Sequence, residues 1–325
     1  MEIKKIGILH HPRLPESLIT ANVLAERLSQ LGASPWLASV RDEDAIAQQM
    51  PGLDLLMTLG GDGTILRAAR LAAPHGKPLL GINMGQLGFL AELAPEEVLT
   101  KAPAILEGRF WLEDRLMLQV TSIHNEQNEQ NEHNEHSEQN EHNEHNEHNE
   151  HSEHNEHNEH NEHNKGRCKL NTPLLAMNDA AVGRGLLSRT VRVETHIDGD
   201  YLTTYIADGV IVATPTGSTA YALAAGGPIL QPELRNLLLT PIAPHLTVVH
   251  SLVLLPTAIV ELKITTDHPS SLTIDGQNDI PLESGDVVTV TASPHISRFL
   301  RFQPKAYFYR TLLERLSSRI ARGML

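Results

Sequence analysis

Apolar residues recur along this chain with two different periods, and the change from one to the other divides it. Lys4–His10 (KKIGILH) is an apolar run of strand length, closed by His11 and Pro12, and it predicts a buried first strand. From Ser17 to Leu31 the apolar positions Leu18, Val23, Leu24, Leu28 and Leu31 follow near-helical spacing, and Gly32 supplies the usual stop. Trp36–Val40 and Leu53–Leu59 read as further strands. The second of these runs into Gly60-Gly61-Asp62-Gly63, a glycine turn, and Thr64–Leu71 then resumes as helix. Pro78–Gly85 adds another strand. Strands alternating with helices imply an α/β layer built on a parallel sheet.

After Arg109 the helical period disappears. Arg115–Ser122, Thr190–Asp198, Gly209–Pro215, Thr247–Pro256, Ile259–Thr266, Ser271–Gln277 and Asp286–Ser293 are short β-rich runs separated by Gly, Pro, Asp or Asn. The fold class expected is therefore an α/β N-terminal domain with a parallel sheet plus a mainly antiparallel β C-terminal domain, assigned to residues 1–112 and 113–302. In the tail, 303–325, Leu312, Leu313, Leu316 and Ile320 share one face of a terminal helix.

One stretch obeys neither period. From His124 to Asn164 the chain repeats Asn, Glu and His with no apolar residue, and we place it in a disordered surface loop at 122–166. This tract changes the meaning of the charge. The chain has a net charge of −14, but thirteen Glu and no Asp, Lys or Arg lie in the tract, so the remainder is close to neutral at −1. The acidity thus implies nothing about partners of the folded part, and no basic stripe suggests nucleic-acid binding. Cys168 is the single cysteine, which excludes an internal disulfide framework and fits a reducing compartment. The N-terminal apolar run is too short for a signal core or a membrane span, so a soluble cytoplasmic protein is expected.

The candidate chemistry sits in two loops. Glycines after a strand let backbone N–H groups approach an oxyanion, and the start of a helix adds positive potential. Gly60, Gly61 and Gly63 fit that scheme, yet no Gly-Lys-Ser/Thr follows and the spacing is not that of a Rossmann fingerprint. Asp62 is the informative residue. A carboxylate beside phosphate costs electrostatic energy unless it holds a metal or takes a proton from an attacking hydroxyl, and both roles belong to phosphoryl transfer. A plain tight turn is the other reading of Gly-Asp-Gly. Gly209–Pro228 repeats the logic: an apolar strand, then Thr214, Thr216, Gly217, Ser218 and Thr219, then a short helix. Asn178 and Asp179, inside the apolar run AMNDAAV, form either a buried hydrogen-bonded turn or a pair that reads a ribose diol. Asp208 in IADG and Asp275–Gln277 in IDGQ each suit a hairpin turn.

Together, GGDGTILR (Gly60–Arg67), NMGQLGFL (Asn83–Leu90), MNDAAV (Met177–Val182) and DGVIVATPTGSTAYALAAGGPI (Asp208–Ile229) resemble the motifs of the NAD kinase family, in that family's order. The resemblance implies transfer of the ATP γ-phosphoryl group to the 2′-hydroxyl of the adenosine ribose of NAD, giving NADP. It also implies a divalent metal cation, Mg²⁺ by preference, with no residue assigned as its ligand, and a homo-oligomer, dimer or tetramer. Carried over by position, Asp62 is the base on the 2′-hydroxyl, Gly61 and Gly63 lie beside the nucleotide, and Arg67 lies near phosphate. Asn178 and Asp179 match the pair that contacts ribose and adenine, and Arg189, Asp208 and Gln277 match further NAD contacts. Thr219, Ala220, Tyr221, Ala222, Leu223 and Ala224 match the loop that wraps the dinucleotide.

Three alternatives share these features: a kinase of a lipid or other small hydroxyl substrate, a non-catalytic NADP(H) sensor, and a metal store built on the tract. The polar Asn178, Asp179 and Thr216–Thr219 disfavour an apolar substrate groove, and a sensor gains nothing from Asp62. The histidines of the tract suit transition metals, but repeat expansion in an exposed loop explains them equally, since loop length costs little stability. We adopt the second account. It predicts that deletion of His124–Asn164 leaves NADP formation from NAD, ATP and Mg²⁺ intact.

Overall fold

The computed structural model describes residues 3–85, 88–123, 172–185, 190–245, 250–305 and 307–320, and the structure is discussed for these. Most of the loop expected at 122–166 lies outside them; Ser122 and Ile123 are the last residues of a strand.

Four parallel strands, β1 (Lys5–His10), β2 (Ser34–Ser39), β3 (Leu55–Gly60) and β4 (Pro78–Asn83), lie in the order β2-β1-β3-β4. Helices α1 (Pro15–Gln30), α2 (Glu43–Gln49) and α3 (Asp62–Ala72) connect them, and α4 (Pro95–Leu106) follows β4. Alternate strand residues point to opposite faces, so both faces are covered. On one, Leu24 and Leu28 of α1 and Val98 and Ile105 of α4 cluster with Ile6, Ile8 and Met57. On the other, Ile65 and Ala69 of α3 cluster with Leu9, Leu56 and Leu79.

Among the described residues the rest of the chain supplies twelve strands: β5 (Trp111–Ile123), β6 (Leu174–Ala176), β7 (Asp179–Arg184), β8 (Val191–Ile197), β9 (Asp200–Ala207), β10 (Gly209–Ala213), β11 (Leu237–Ile242), β12 (Leu252–Leu254), β13 (Val260–Thr265), β14 (Ser270–Ile274), β15 (Asn278–Leu282) and β16 (Val287–Arg301). Between β10 and β11 lies the single-turn helix α5 (Tyr221–Ala224), and α6 (Tyr307–Ile320) ends the described chain. Six strands, β12-β11-β10-β7-β14-β15, form an antiparallel sheet. The others continue the first sheet. The end of β16 pairs in parallel with β4 (Arg298↔Pro78, Phe299↔Leu79), while β16 also carries β13 and β5 antiparallel. Val193, Tyr205, Val260 and Leu262 of the extended sheet face Val210, Val212, Leu239 and Leu272 of the six-stranded one across a second core.

These observations bear out the expected fold class, a parallel α/β part and an antiparallel β part. They also show the seam between the parts: a strand shared by both. In the parallel part, three helices differ from the sequence reading. Helix α3 begins at Asp62, two residues before the expected Thr64, because extended Gly61 (φ −92°, ψ −175°) caps it and an acid in the first turn suits the positive helix end. Helix α2 was not expected, since Ile46 is its one buried residue. Helix α4 was hidden by Pro95, which sits in its first turn, and by Pro103 inside it.

Phe299 is fully buried at the seam. Phe299→Ala is expected to lower unfolding free energy by roughly 3–5 kcal/mol, read as a drop in the urea midpoint at unchanged slope.

Candidate active site

The chain runs from β1 outward to β2, then back across β1 to β3, so the strand order reverses between β1 and β3. Ligands of open parallel sheets settle outside the carboxyl ends of the strands at such a point. A cleft of about 520 Å³ lies there, lined by His11 after β1, Arg41 after β2, and Gly60, Gly61, Gly63 and Arg67 after β3.

Asp62 stands at the start of α3, between the cleft-lining Gly61 and Gly63, and its carboxylate turns to the Gly88–Leu90 segment. Its Oδ2 accepts the N–H of Phe89 at 3.0 Å and its Oδ1 that of Leu90 at 3.2 Å. Backbone and carboxylate lie so close that a Cβ on Gly88 would sit 2.1 Å from Oδ1, so Gly88 is required by contact. The glycines of the first loop divide in a similar way. Gly60 is packed, since a Cβ there would meet Thr64 Oγ1 at 2.3 Å, while a Cβ on Gly61 would meet nothing within 4 Å. Gly60 therefore serves the fold, and Gly61 leaves the loop open to a ligand.

The second loop is built by buried polar contacts. Thr214 Oγ1 donates to Met177 O at 2.6 Å and accepts Gly217 N–H at 3.1 Å, and Thr214 N–H donates to Asn178 O at 2.8 Å. Gly217 has no room for a side chain, because a Cβ would lie 2.0 Å from Asn178 O. The segment Met177–Asp179 is thus held against the Thr214–Thr219 turn. Tyr221 at the start of α5 faces the carboxylates of Asp179 and Asp208. Burial, then these two acids, push its phenol above the usual range, with Arg184 opposing. Arg184 and Asp208 pair at 3.2 Å.

Asp275 and Arg70 join the two loops. Asp275 and Gly276 are left-handed (φ 51° and 64°) and Gln277 N–H donates to Ile274 O, a type I′ turn as the Asp-Gly pair suggests. The Asp275 side chain, however, points inward. Its Oδ1 accepts N–H groups of Met177, Asn178 and Asp179 at 3.0, 2.7 and 3.3 Å, and its Oδ2 accepts Arg70 of α3 at 3.0 Å. Gln277 Oε1 accepts from the same Arg70, and Gln277 Nε2 donates to Gly63 O at 2.8 Å.

With this geometry in view, residues 18–110 match the ATP-NAD kinase N-terminal domain and residues 177–302 the ATP-NAD kinase C-terminal domain. The chain is 35% identical over 309 residues to an NAD kinase of Dehalococcoides mccartyi, covering 95% of this chain and 94% of that one. It is 35% identical over 314 residues to the NAD kinase of Chloroflexus aurantiacus, covering 97% and 99%. The chain belongs to the NAD kinase family. It is accordingly an enzyme, a phosphotransferase of that family, as its motifs led us to expect. Its fold is that of yeast NADH kinase solved with NADH (TM-score 0.71, 24% identity, 98% of this chain and 88% of that one). It is also that of an Archaeoglobus fulgidus NAD kinase solved with ATP (TM-score 0.68, 22% identity, 97% and 99%).

Within this NAD kinase fold, the residues singled out from sequence fall into three groups. Gly61, Gly63 and Gln277 line the cleft, with Asp62 between the two glycines and its carboxylate on Phe89 and Leu90, and Asn178, Asp179, Asp208 and Tyr221 meet around the second loop. Arg67 lies on the outer wall, paired with Glu43 at 2.7 Å. Arg189 lies outside the described residues. Thr219 is buried with its hydroxyl on Thr216 O at 3.2 Å, Ala222 is packed with Ala181, Ile211 and Leu238, and Ala220, Leu223 and Ala224 line the turn beside them. The sequence reading missed Asp275 and Arg70. An Asp-Gly hairpin explains itself locally, and nothing in a linear sequence says that its carboxylate turns inward.

Asp179 is almost fully buried, and burial, then the Asp275 carboxylate, push it up to about 7 against one hydrogen bond from Tyr221 N–H. Burial pushes Asp275 up as well, but Arg70 and three N–H groups oppose that rise and Asp179 has only one such bond, so within the pair the charge falls to Asp275 and the proton to Asp179. A folded pKa above the unfolded value means that stability is full below pH ~4 and declines as pH rises toward 7. Asp179→Asn removes that decline. Its melting temperature should exceed that of the wild type at pH 8, by ~2–4 °C per kcal/mol recovered, and match it at pH 4, as read by differential scanning calorimetry.

Proposed function

We propose that this chain transfers the γ-phosphoryl group of ATP to the 2′-hydroxyl of the adenosine ribose of NAD, with Asp62 as general base. The observation that carries this reading is the position of Asp62. Two backbone N–H groups orient its carboxylate next to the cleft-lining glycines, and the Gln277–Gly63 and Arg70–Asp275 contacts tie the Asn178–Asp179 segment to the same helix. The donor nucleotide takes the cleft after β1 and β3, where Gly61 leaves backbone space and Arg41 and Arg67 supply positive charge. NAD takes the second loop, where Asn178 and Asp179 offer acceptors for ribose hydroxyls and Tyr221 offers a ring face.

In the reaction the 2′-hydroxyl gives its proton to the Asp62 carboxylate as its oxygen bonds to the γ-phosphorus. The bond from that phosphorus to the β,γ-bridging oxygen breaks, releasing ADP. Among the described residues no group of three or more His, Cys, Asp or Glu side chains is placed to cage a metal ion. The carboxylate of Asp62 suits Mg²⁺, a hard cation that takes oxygen ligands, most of them from substrate phosphates and water, and needs one protein carboxylate at most. Asp62 is the residue placed to contribute. When bound, the ion neutralises charge on the transferring phosphoryl group.

Among the described residues no helix is long and apolar enough to cross a membrane. We place the enzyme in the cytoplasm, where ATP and a lone cysteine are both at home, as a homo-oligomer like the family it resembles.

Asp62→Asn preserves shape and one of the two backbone contacts, since its amide oxygen accepts an N–H and its amide nitrogen cannot, while removing the base. It should still bind NAD but lose roughly 10²–10⁴-fold in turnover, measured by coupled NADP formation from NAD, ATP and Mg²⁺. Near-normal turnover by this variant would refute the role given to Asp62.

A further inference from the structure

Behind the Asp62 loop lies a cluster of four buried charged side chains that the reaction as described does not use. Glu92, Glu113, Arg115 and Arg301 are 3%, 10%, 5% and 7% exposed. Taking such groups out of water costs several kcal/mol per ion, and a buried ion cluster is weak evidence for stability. What the cluster holds in place is therefore the better guide to its role.

Arg301, the last residue of β16, is its centre. Its Nε donates to Glu113 Oε2 at 2.6 Å, and its Nη1 donates to Glu92 Oε2 at 3.2 Å and to the backbone oxygen of Leu90 at 3.0 Å. The guanidinium lies over the Phe299 ring, 4.9 Å from its centroid. Glu92 Oε1 accepts the N–H groups of Phe302 and Gln303 at 2.7 and 2.9 Å, which ties the end of β16 to the same loop. Burial opposes ionisation of Glu113, but Arg115 and Arg301 overrule it and hold the carboxyl down to about 2. Leu90, gripped at its oxygen by Arg301, is one of the two residues whose N–H groups bind Asp62.

We propose that Arg301 is a positioning residue for phosphoryl transfer, fixing the backbone of Leu90 and through it the orientation of the Asp62 carboxylate. The proposal rests on Asp62 being the base. The close fit of Gly88 on Asp62 makes the carboxylate sensitive to small shifts of this loop, and a misplacement of about 1 Å in a reacting group can cost 10²-fold. Lysine keeps the charge at 301 but lacks the rigid fork that serves Glu113 and Leu90 together.

The test is a double-mutant cycle of Arg301→Lys with Asp62→Asn, reading kcat, KM for NAD and melting temperature. Arg301→Lys should lower kcat by roughly 10–100-fold with KM for NAD changed less than about twofold. In the Asp62→Asn background the same substitution should cost less than about twofold, because the group it acts through is gone. An equal fractional loss in both backgrounds, or unchanged kcat in folded Arg301→Lys, overturns the proposal and leaves the base assignment standing. Near-normal turnover in Asp62→Asn alone overturns both. If Arg301→Lys does not fold, Glu92→Gln enters the same cycle with the same expectations. It keeps an acceptor for Phe302 and Gln303 while weakening the hold on Arg301.

Discussion

Three consecutive backbone N–H groups, those of Met177, Asn178 and Asp179, converge on the buried carboxylate of Asp275, whose other oxygen accepts Arg70 from the helix that begins with Asp62. Buried N–H groups need acceptors, and an ionised acceptor makes the stronger bond. The guanidinium on α3 opposes the cost of burying that charge, although burial still holds the carboxyl above its usual range. One side chain on a hairpin turn thereby sets the distance between the Asp62 cleft and the segment that carries Asn178 and Asp179. Remove the carboxylate and three N–H groups lose their acceptor at once, while Arg70 loses its charge partner and keeps only Gln277.

The same constraint explains why charge is concentrated where the parallel and antiparallel parts of the first sheet meet. Apolar packing covers the faces of the sheets, but it is non-directional and tolerates sliding. A site assembled from β3, β4, β7, β14 and β16 needs contacts with fixed geometry. Arg70–Asp275–Gln277 provides them on one side of Asp62, and Arg301–Glu113–Glu92 on the other. The glycines at the site follow suit. Gly88 and Gly217 are excluded from carrying side chains by the carboxylate of Asp62 and the oxygen of Asn178, and Gly61 is the one that leaves space for a ligand.

Much of this arrangement was legible in the residue pattern. The runs at Lys4–His10 and Leu53–Leu59 are strands β1 and β3, and Gly60–Gly63 falls where a strand meets a helix, as the phosphate-loop argument required. Other elements were obscured for identifiable reasons. Strand β9, with Asp200, Tyr201, Thr203 and Thr204 among its residues, lacks the apolar density that marks a strand, and β11 contains Pro241, a residue that usually argues against one. The motif NMGQLGFL was conspicuous, yet its role in presenting the Phe89 and Leu90 N–H groups to Asp62 rests on backbone direction, which residue types do not record.

By itself, then, the sequence determined the fold class, the two loops and the family, because periodicity, glycine placement and spaced motifs are local properties of the chain. Tertiary structure alone decided the partners. Asp275 and Asp179 are separated by 96 positions and Arg301 and Leu90 by 211, and each pair is brought together by strand order. Which buried acid keeps its proton, and which arginine orients Asp62, depend on distance and on exclusion of water, and neither quantity exists until the sheets have closed.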